Sequence, residues 1–190
     1  AAGVAWWLVN PLKLLGRLAE ARAVLDSLLI DSAAAQAALG DSEFASLLTN
    51  LAVIQRNQGD LSSAQASVER SIVIKKKQFA PDHQIFATSY SNLAMIQQDQ
   101  RDLSGARENM ERAIAIQKKH FAPNHPTFAT SYSNLALIQQ DQGDLPGAQA
   151  SIEAAIDIAE KHLGADHPNL AIMRSNLALV QQEQNDLSGA

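Results

Sequence analysis

Asn-Leu-Ala occurs four times in this chain, at Asn50, Asn92, Asn134 and Asn176, and each step is 42 residues. An Asp-Leu pair keeps the same step at Asp60, Asp102, Asp144 and Asp186. A fixed period of this size marks an array of one supersecondary unit, in which each unit leans on its neighbours. It overrules the expectation of one or two globular domains that a length of 190 residues would otherwise raise. An array has no single pocket by default. Its working surface is a run of equivalent positions.

The stretch from His83 to Asn124 shows what one unit is. Phe86, Tyr90, Leu93 and Ala94 fall at i, i+4, i+7 and i+8, one face of a helix. Leu103, Ala106, Met110, Ala113 and Ile114 fall at i, i+3, i+7, i+10 and i+11, the apolar stripe of a second helix running to about Phe121. Asp99-Gln100-Arg101-Asp102 separates them, and the sister turns read Asn57-Gln58-Gly59-Asp60 and Asp141-Gln142-Gly143-Asp144. Gly at the third place suits a left-handed helix C-cap, and the Asp after it suits the N-cap of the next helix. Arg101 and Asn185 stand where the other turns have Gly. Pro146 falls in the first turn of a second helix, where a missing N–H costs nothing. Ala52, Ala94, Ala136 and Ala178 in the first helices, and Ala64, Ala106, Ala148 and Ala190 in the second, mark where paired helices approach closely.

Composition narrows the function classes. A net charge of −5 argues against a nucleic-acid partner, which selects for a basic face. The chain has no cysteine, so disulfides and thiolate metal sites are excluded. No stretch approaches the ~20 apolar residues of a membrane span, so no membrane role is expected, and the expected location is the cytoplasm. Ala1 to Val9, with Trp6 and Trp7, reads as the worn first helix of the array rather than the remnant of a signal segment. The absent initiator Met and the stop at Ala190, in mid-repeat, read as a fragment of a larger protein.

These features resemble the tetratricopeptide repeat, with Tyr90, Leu93, Ala94, Ala106 and Ala113 at its aromatic, leucine and small-residue positions. The common unit has about 34 residues; this one is longer by about two helical turns. That extension resembles the kinesin light chain class. So do His125-Pro126 through Ala129-Thr130, Asn134-Leu135-Ala136, Gln142-Gly143-Asp144 and Ala155-Ile156-Asp157-Ile158. The match covers about residues 41–190. The resemblance implies an all-α fold, a right-handed superhelix (α-solenoid) of helical hairpins. The expected organisation is a degenerate repeat over 1–40, repeats over 41–82, 83–124 and 125–166, and a first helix alone over 167–190, in one continuous domain. Asn10-Pro11 interrupts what would be the first helix, which either kinks there or restarts at Pro11.

Chemistry-bearing residues mostly have structural readings. His83, His125 and His167 keep the 42-residue step, and His120 and His162 end second helices. A metal needs several ligands converging on one ion, which this spacing does not offer, so helix-end and loop packing is expected. Asp60, Asp102, Asp144 and Asp186 read as helix caps. Ser89, Ser91, Ser131 and Ser133 lack a nucleophile-elbow context, and no Gly-rich phosphate loop is present. Lys75-Lys76-Lys77 reads as a solvated helix end. No catalytic site and no cofactor is expected.

The Asn ladder is different. Asn92 adjoins the apolar Leu93 but need not share its direction. In proteins similar to this one, this part of the first helix lines the concave groove and an Asn holds a bound peptide by its backbone. The amide offers a donor and an acceptor, so it matches a peptide unit without reading its side chain. The other reading is that Asn bonds adjacent helices and keeps the repeats in register. Thr88, Ser91, Met95, Gln98 and Asp99 are expected beside Asn92, and Thr130, Ser133, Leu137, Gln140 and Asp141 beside Asn134. With Arg56 the obvious cation, the lining suits a neutral or basic peptide rather than an acidic one.

The sequence therefore points to a scaffold that binds a protein or extended peptide in this groove, as part of a larger signalling or adaptor protein. Two alternatives stand beside it. One is self-association through apolar terminal helices, motivated by Trp6, Trp7 and the unpartnered last helix. The other is a sensor domain attached to an enzyme or NTPase.

Overall fold

The computed structural model describes residues 18–29, 32–162 and 167–188. The expectations for Trp6, Trp7, Asn10-Pro11 and Ala190 lie outside them. Every described element is a helix: α1 (Leu18–Leu29), α2 (Ser32–Leu39), α3 (Asp41–Asn57), α4 (Leu61–Lys76), α5 (Ile85–Asp99), α6 (Leu103–His120), α7 (Thr127–Asp141), α8 (Leu145–His162) and α9 (Pro168–Ser188). They form two compact units, one ending at Gln100 and one starting at Arg101.

In the first unit, α3 and α4 make a full hairpin. Gly59 turns the chain at φ 79°, in the left-handed region that Gly enters without a Cβ penalty. The amide of Asp60 then reaches back to the Gln55 carbonyl at 2.9 Å, and that of Gly59 to Arg56 at 2.9 Å, which satisfies carbonyls left open at the end of α3. The Asp60 carboxylate accepts the Ser63 amide and starts α4. The Ser63 hydrogen bonds, and behind them the Arg22 guanidinium, hold the Asp60 carboxyl below the usual range. The core beneath is Phe44, Leu48, Leu51 and Ile54 from α3, Val68 and Ile72 from α4, and Phe86, Tyr90 and Leu93 from α5. Ala35 and Leu39 of α2 pack on Phe44 and Leu48.

The second unit repeats this design. Gly143 takes φ 78°, Asp144 bonds the Gln139 carbonyl through its amide and the Gly147 amide through its carboxylate, and α7 and α8 close on Leu135, Ile138, Ala148 and Ile152. Arg101 adopts φ 67°, so the turn forms there without Gly, as the sequence suggests. Phe44, Phe86 and Phe128 keep the repeat step and are almost wholly buried; Leu170 takes the next place, also buried. Val180 of α9 packs on Leu145 and Ala148.

Two expectations fail in α9. Asn185 does not take the left-handed role of Gly59 and Gly143, and Asp186 does not follow a turn; both lie inside α9, which continues to Ser188. The earlier turns are held by the second helix that follows, whose N3 amide ties down the Asp. Asn185 also tolerates helical φ where a Gly would lose more entropy. Ala178 differs from its equivalents for the same reason. Ala52, Ala94 and Ala136 are buried, whereas Ala178 is exposed, with no second helix over it among the described residues.

The histidines mark where first helices begin. The ring Nδ1 of His83 accepts the Ile85 amide, that of His125 the Thr127 amide, and that of His167 the Asn169 amide, at 3.2, 3.3 and 3.2 Å. Phe79 lies against His83 and Phe121 stacks on His125, with ring centres 4.5 and 4.2 Å apart. Each ring thus supplies an acceptor to an open helix start, and the faces of His83 and His125 also close their loops.

Candidate peptide-binding face

The first helices turn one face away from the hairpin core. In the first unit this face comes from α3 and α5. Asn50 and Asn92 sit half-buried on it, with Val53, Ser91, Met95 and Gln98 also half-buried and Thr88 exposed. In the second unit α7 and α9 place Asn134 and Asn176 the same way, with half-buried Ser133, Leu137 and Gln140 and exposed Thr130. Ile172 and Leu179 of α9 extend this face and are 59% and 53% exposed. The expected lining residues therefore share one face within each unit.

The polar groups on it divide into two kinds. Some hold one first helix to the next. Arg56 Nε donates to Asp99 Oδ2 at 2.6 Å and its Nη2 to Oδ1 at 3.3 Å, so the cation is already neutralised. Gln140 Nε2 donates to Glu183 Oε1 at 2.7 Å. Arg56 and Gln140 thus each bond 43 residues ahead, from one first helix to the next. Asn92, Asn134 and Asn176 form the second kind: among the described residues their side-chain amides make no hydrogen bond. An amide that is half-buried and unbonded keeps its donor and acceptor for a ligand.

A separate polar cluster lies inside the first unit, and it corrects the reading of the lysine run. Lys76 and Lys77 are exposed, but Lys75 is only 4% exposed. Its Nζ donates to Ser89 Oγ at 2.7 Å and to Thr49 Oγ1 at 3.2 Å. The Thr49 and Ser71 hydroxyls are 2.8 Å apart, and both reach the Ala45 carbonyl. Burial without a carboxylate partner pushes the amine down to about 8. The periodicity does carry this signal. Val68, Ser71, Ile72 and Lys75 follow i, i+3, i+4 and i+7, and Lys75 falls in register with the buried Gln117 and Ala159.

Among the described residues no three His, Asp or Glu side chains gather to hold a metal ion. No described helix is long and apolar enough to cross a membrane.

The tetratricopeptide-repeat family matches residues 43–119 and 127–190, and a second profile of the same repeat matches residues 2–27. The chain belongs to the tetratricopeptide-repeat family. The fold is similar to several solved structures. One is a putative kinesin light chain of nearly identical TPR-like repeats from Podosopora anserina: TM-score 0.76 and 24% identity, over 96% of this chain and 86% of that one. Another is BtubC (BKLC) from P. vanneervenii: TM-score 0.79 and 19% identity, over 95% of this chain and 72% of that one. The TPR domain of Sgt2 from Aspergillus fumigatus is more distant: TM-score 0.57 and 20% identity, over 77% of this chain and 82% of that one. No curated protein matches the chain in sequence. This TPR protein is thus an all-α repeat solenoid. Membership of the family makes it a protein-interaction scaffold, on a fold that is typically non-catalytic.

Proposed function

We propose that this TPR protein binds an extended peptide segment of a partner protein along the outward face of its first helices. In the first unit Asn50 and Asn92 hold the peptide backbone, flanked by Thr88, Ser91, Met95 and Gln98; in the second Asn134 and Asn176 hold it, flanked by Thr130, Ser133, Leu137 and Gln140. The observation that carries the reading is the free amide of Asn92, Asn134 and Asn176, beside neighbours that are already bonded to the protein. Each such hydrogen bond contributes only ~0.5–1.5 kcal/mol net, so apolar contacts supply the rest of the affinity. An adaptor or signalling role in the cytoplasm, within a longer chain, fits a scaffold of this chemistry. A double Asn92→Ala, Asn134→Ala variant keeps its melting temperature and loses capture of the partner in a lysate pulldown. If the variant unfolds instead, the ladder is structural and the reading fails.

Self-association is the second reading, favoured by one observation: Ile172 and Leu179 stand exposed on α9. Sedimentation across a concentration series separates the two. A mass that doubles with concentration, and stays single in Ile172→Ser with Leu179→Ser, identifies α9 as a contact between copies.

A further inference from the structure

We propose that Glu183 takes an arginine side chain of the bound peptide, so that α9 selects an arginine placed two residues from an aliphatic residue. The inference rests on the peptide-binding reading and names a specificity-determining residue for it, within the second unit alone.

Its first support is a carboxylate without a cation. In the first unit Arg56 spans both oxygens of Asp99, at 2.6 and 3.3 Å. Two repeats on, Gln140 stands in the place of Arg56 and Glu183 in the place of Asp99. Gln140 Nε2 donates to Glu183 Oε1 at 2.7 Å, so the contact is kept and the positive charge is lost. A neutral amide leaves the charge of a carboxylate uncompensated, and among the described residues Glu183 makes no ion pair. Two carboxylate oxygens offer about four acceptor sites, and Gln140 uses one of them. A ligand guanidinium supplies here what Arg56 supplies in the first unit. Its planar fork suits both oxygens, where an ammonium acts as a point charge.

The second support is what stands beside that carboxylate. Ile172, Asn176, Leu179 and Glu183 fall at i, i+4, i+7 and i+11 of α9, one stripe of the helix. Ile172 and Leu179 are 59% and 53% exposed, Glu183 is exposed, and the half-buried Asn176 keeps its amide unbonded. The matching acid on α7 is Asp141, which already pairs with Arg101. The stripe of α9 therefore joins a backbone-binding amide, two aliphatic contacts and an anion open to a ligand. Four residues separate Leu179 from Glu183, a rise of ~6 Å along the helix. An extended chain repeats one face every ~6.7 Å. An aliphatic residue two positions from the arginine thus falls on Leu179 while the arginine meets Glu183.

The probe is the capped, fluorescein-labelled peptide Leu-Ser-Arg-Ser-Leu, whose side chains read alike in either chain direction. It is titrated with the full chain and followed by polarisation. A twin with citrulline for arginine keeps the shape and removes the charge. At low salt the arginine peptide is expected to bind about fivefold more tightly than its twin, the upper range of an exposed ion pair, with the preference shrinking as salt is added. Glu183→Gln abolishes the preference. Gln140→Arg abolishes it too, by returning to the second unit the cation that the first unit has, and both variants keep the parent melting temperature. Equal binding of the two peptides, both weakened by Asn134→Ala with Asn176→Ala, overturns the arginine site and leaves backbone capture by Asn standing. A preference that survives in Glu183→Gln, or no binding of either peptide, overturns the proposal.

Discussion

Lys75 offers the sharpest test of how this protein is packed. The amine is held by the Ser89 and Thr49 hydroxyls and is displaced from 10.5 to about 8 by burial. That displacement corresponds to about 3 kcal/mol between the charged and neutral forms. Below pH 8 both the folded and unfolded chains carry the proton, and the folded state bears the whole penalty. Between about 8 and 10.5 the folded chain releases the proton while the unfolded chain keeps it, so stability rises with pH across that window. Lys75→Met has nothing to titrate there. The substitution removes the penalty but withdraws a donor from Ser89, which is fully buried, and leaving a buried polar group less satisfied costs about 1–3 kcal/mol. The variant is therefore expected to be more stable than the parent at pH 7 by about 1–2 kcal/mol and to lose that advantage by pH 10.5. Urea unfolding of both proteins at several pH values gives the answer as a double difference, in which the other lysines and the tyrosines cancel. A difference that stays constant from pH 7 to 10.5 would refute the buried, depressed amine.

Two further substitutions test the hairpin. Ala94, fully buried on α5, admits no larger side chain; Ala94→Leu lowers the melting temperature by an amount equivalent to about 1–3 kcal/mol, and an unchanged melt would contradict the close approach. Arg101→Gly relieves the left-handed backbone at φ 67°. It gives up the largely exposed pair with Asp141, worth a few tenths of a kcal/mol, and some unfolded-state entropy. The net expectation is a gain of about 0.5–1 kcal/mol in urea unfolding, and a loss would show that the Arg side chain matters more than its backbone.

The parts of the fold legible in the sequence are those decided within a few residues. Gly59 and Gly143 turn the chain and Asp60, Asp102 and Asp144 start the next helix because the turn and cap bonds span only three to five residues. The small and aromatic positions are legible because the apolar period fixes their face. Asn185 and Asp186 carry the same local signal and form no turn, since α9 runs through both. Lys75 escapes notice because a run of three lysines looks like solvent, and only its register with Gln117 and Ala159 says otherwise. For the candidate face, residue type suggests a polar lining. It does not say which amides are already bonded, since Arg56 with Asp99 and Gln140 with Glu183 are pairs of different chemistry at one position.

A second-helix guanidinium reaches the following turn once in each unit. Arg22 of α1 reaches Gln58 and Asp60, and Arg107 of α6 reaches Gln142 and Asp144. Gln65 and Gln149 hold the intervening positions and bond Glu69 and Glu153 on their own helices. Ser67 with Gln55 and Ser151 with Gln139 recur once in each unit in the same way. Each unit thus carries its own clasp of second helix on turn. A shuffled version that set Gln65 in place of Arg22, or Gln149 in place of Arg107, would leave the Asp60 or Asp144 carboxylate without its guanidinium.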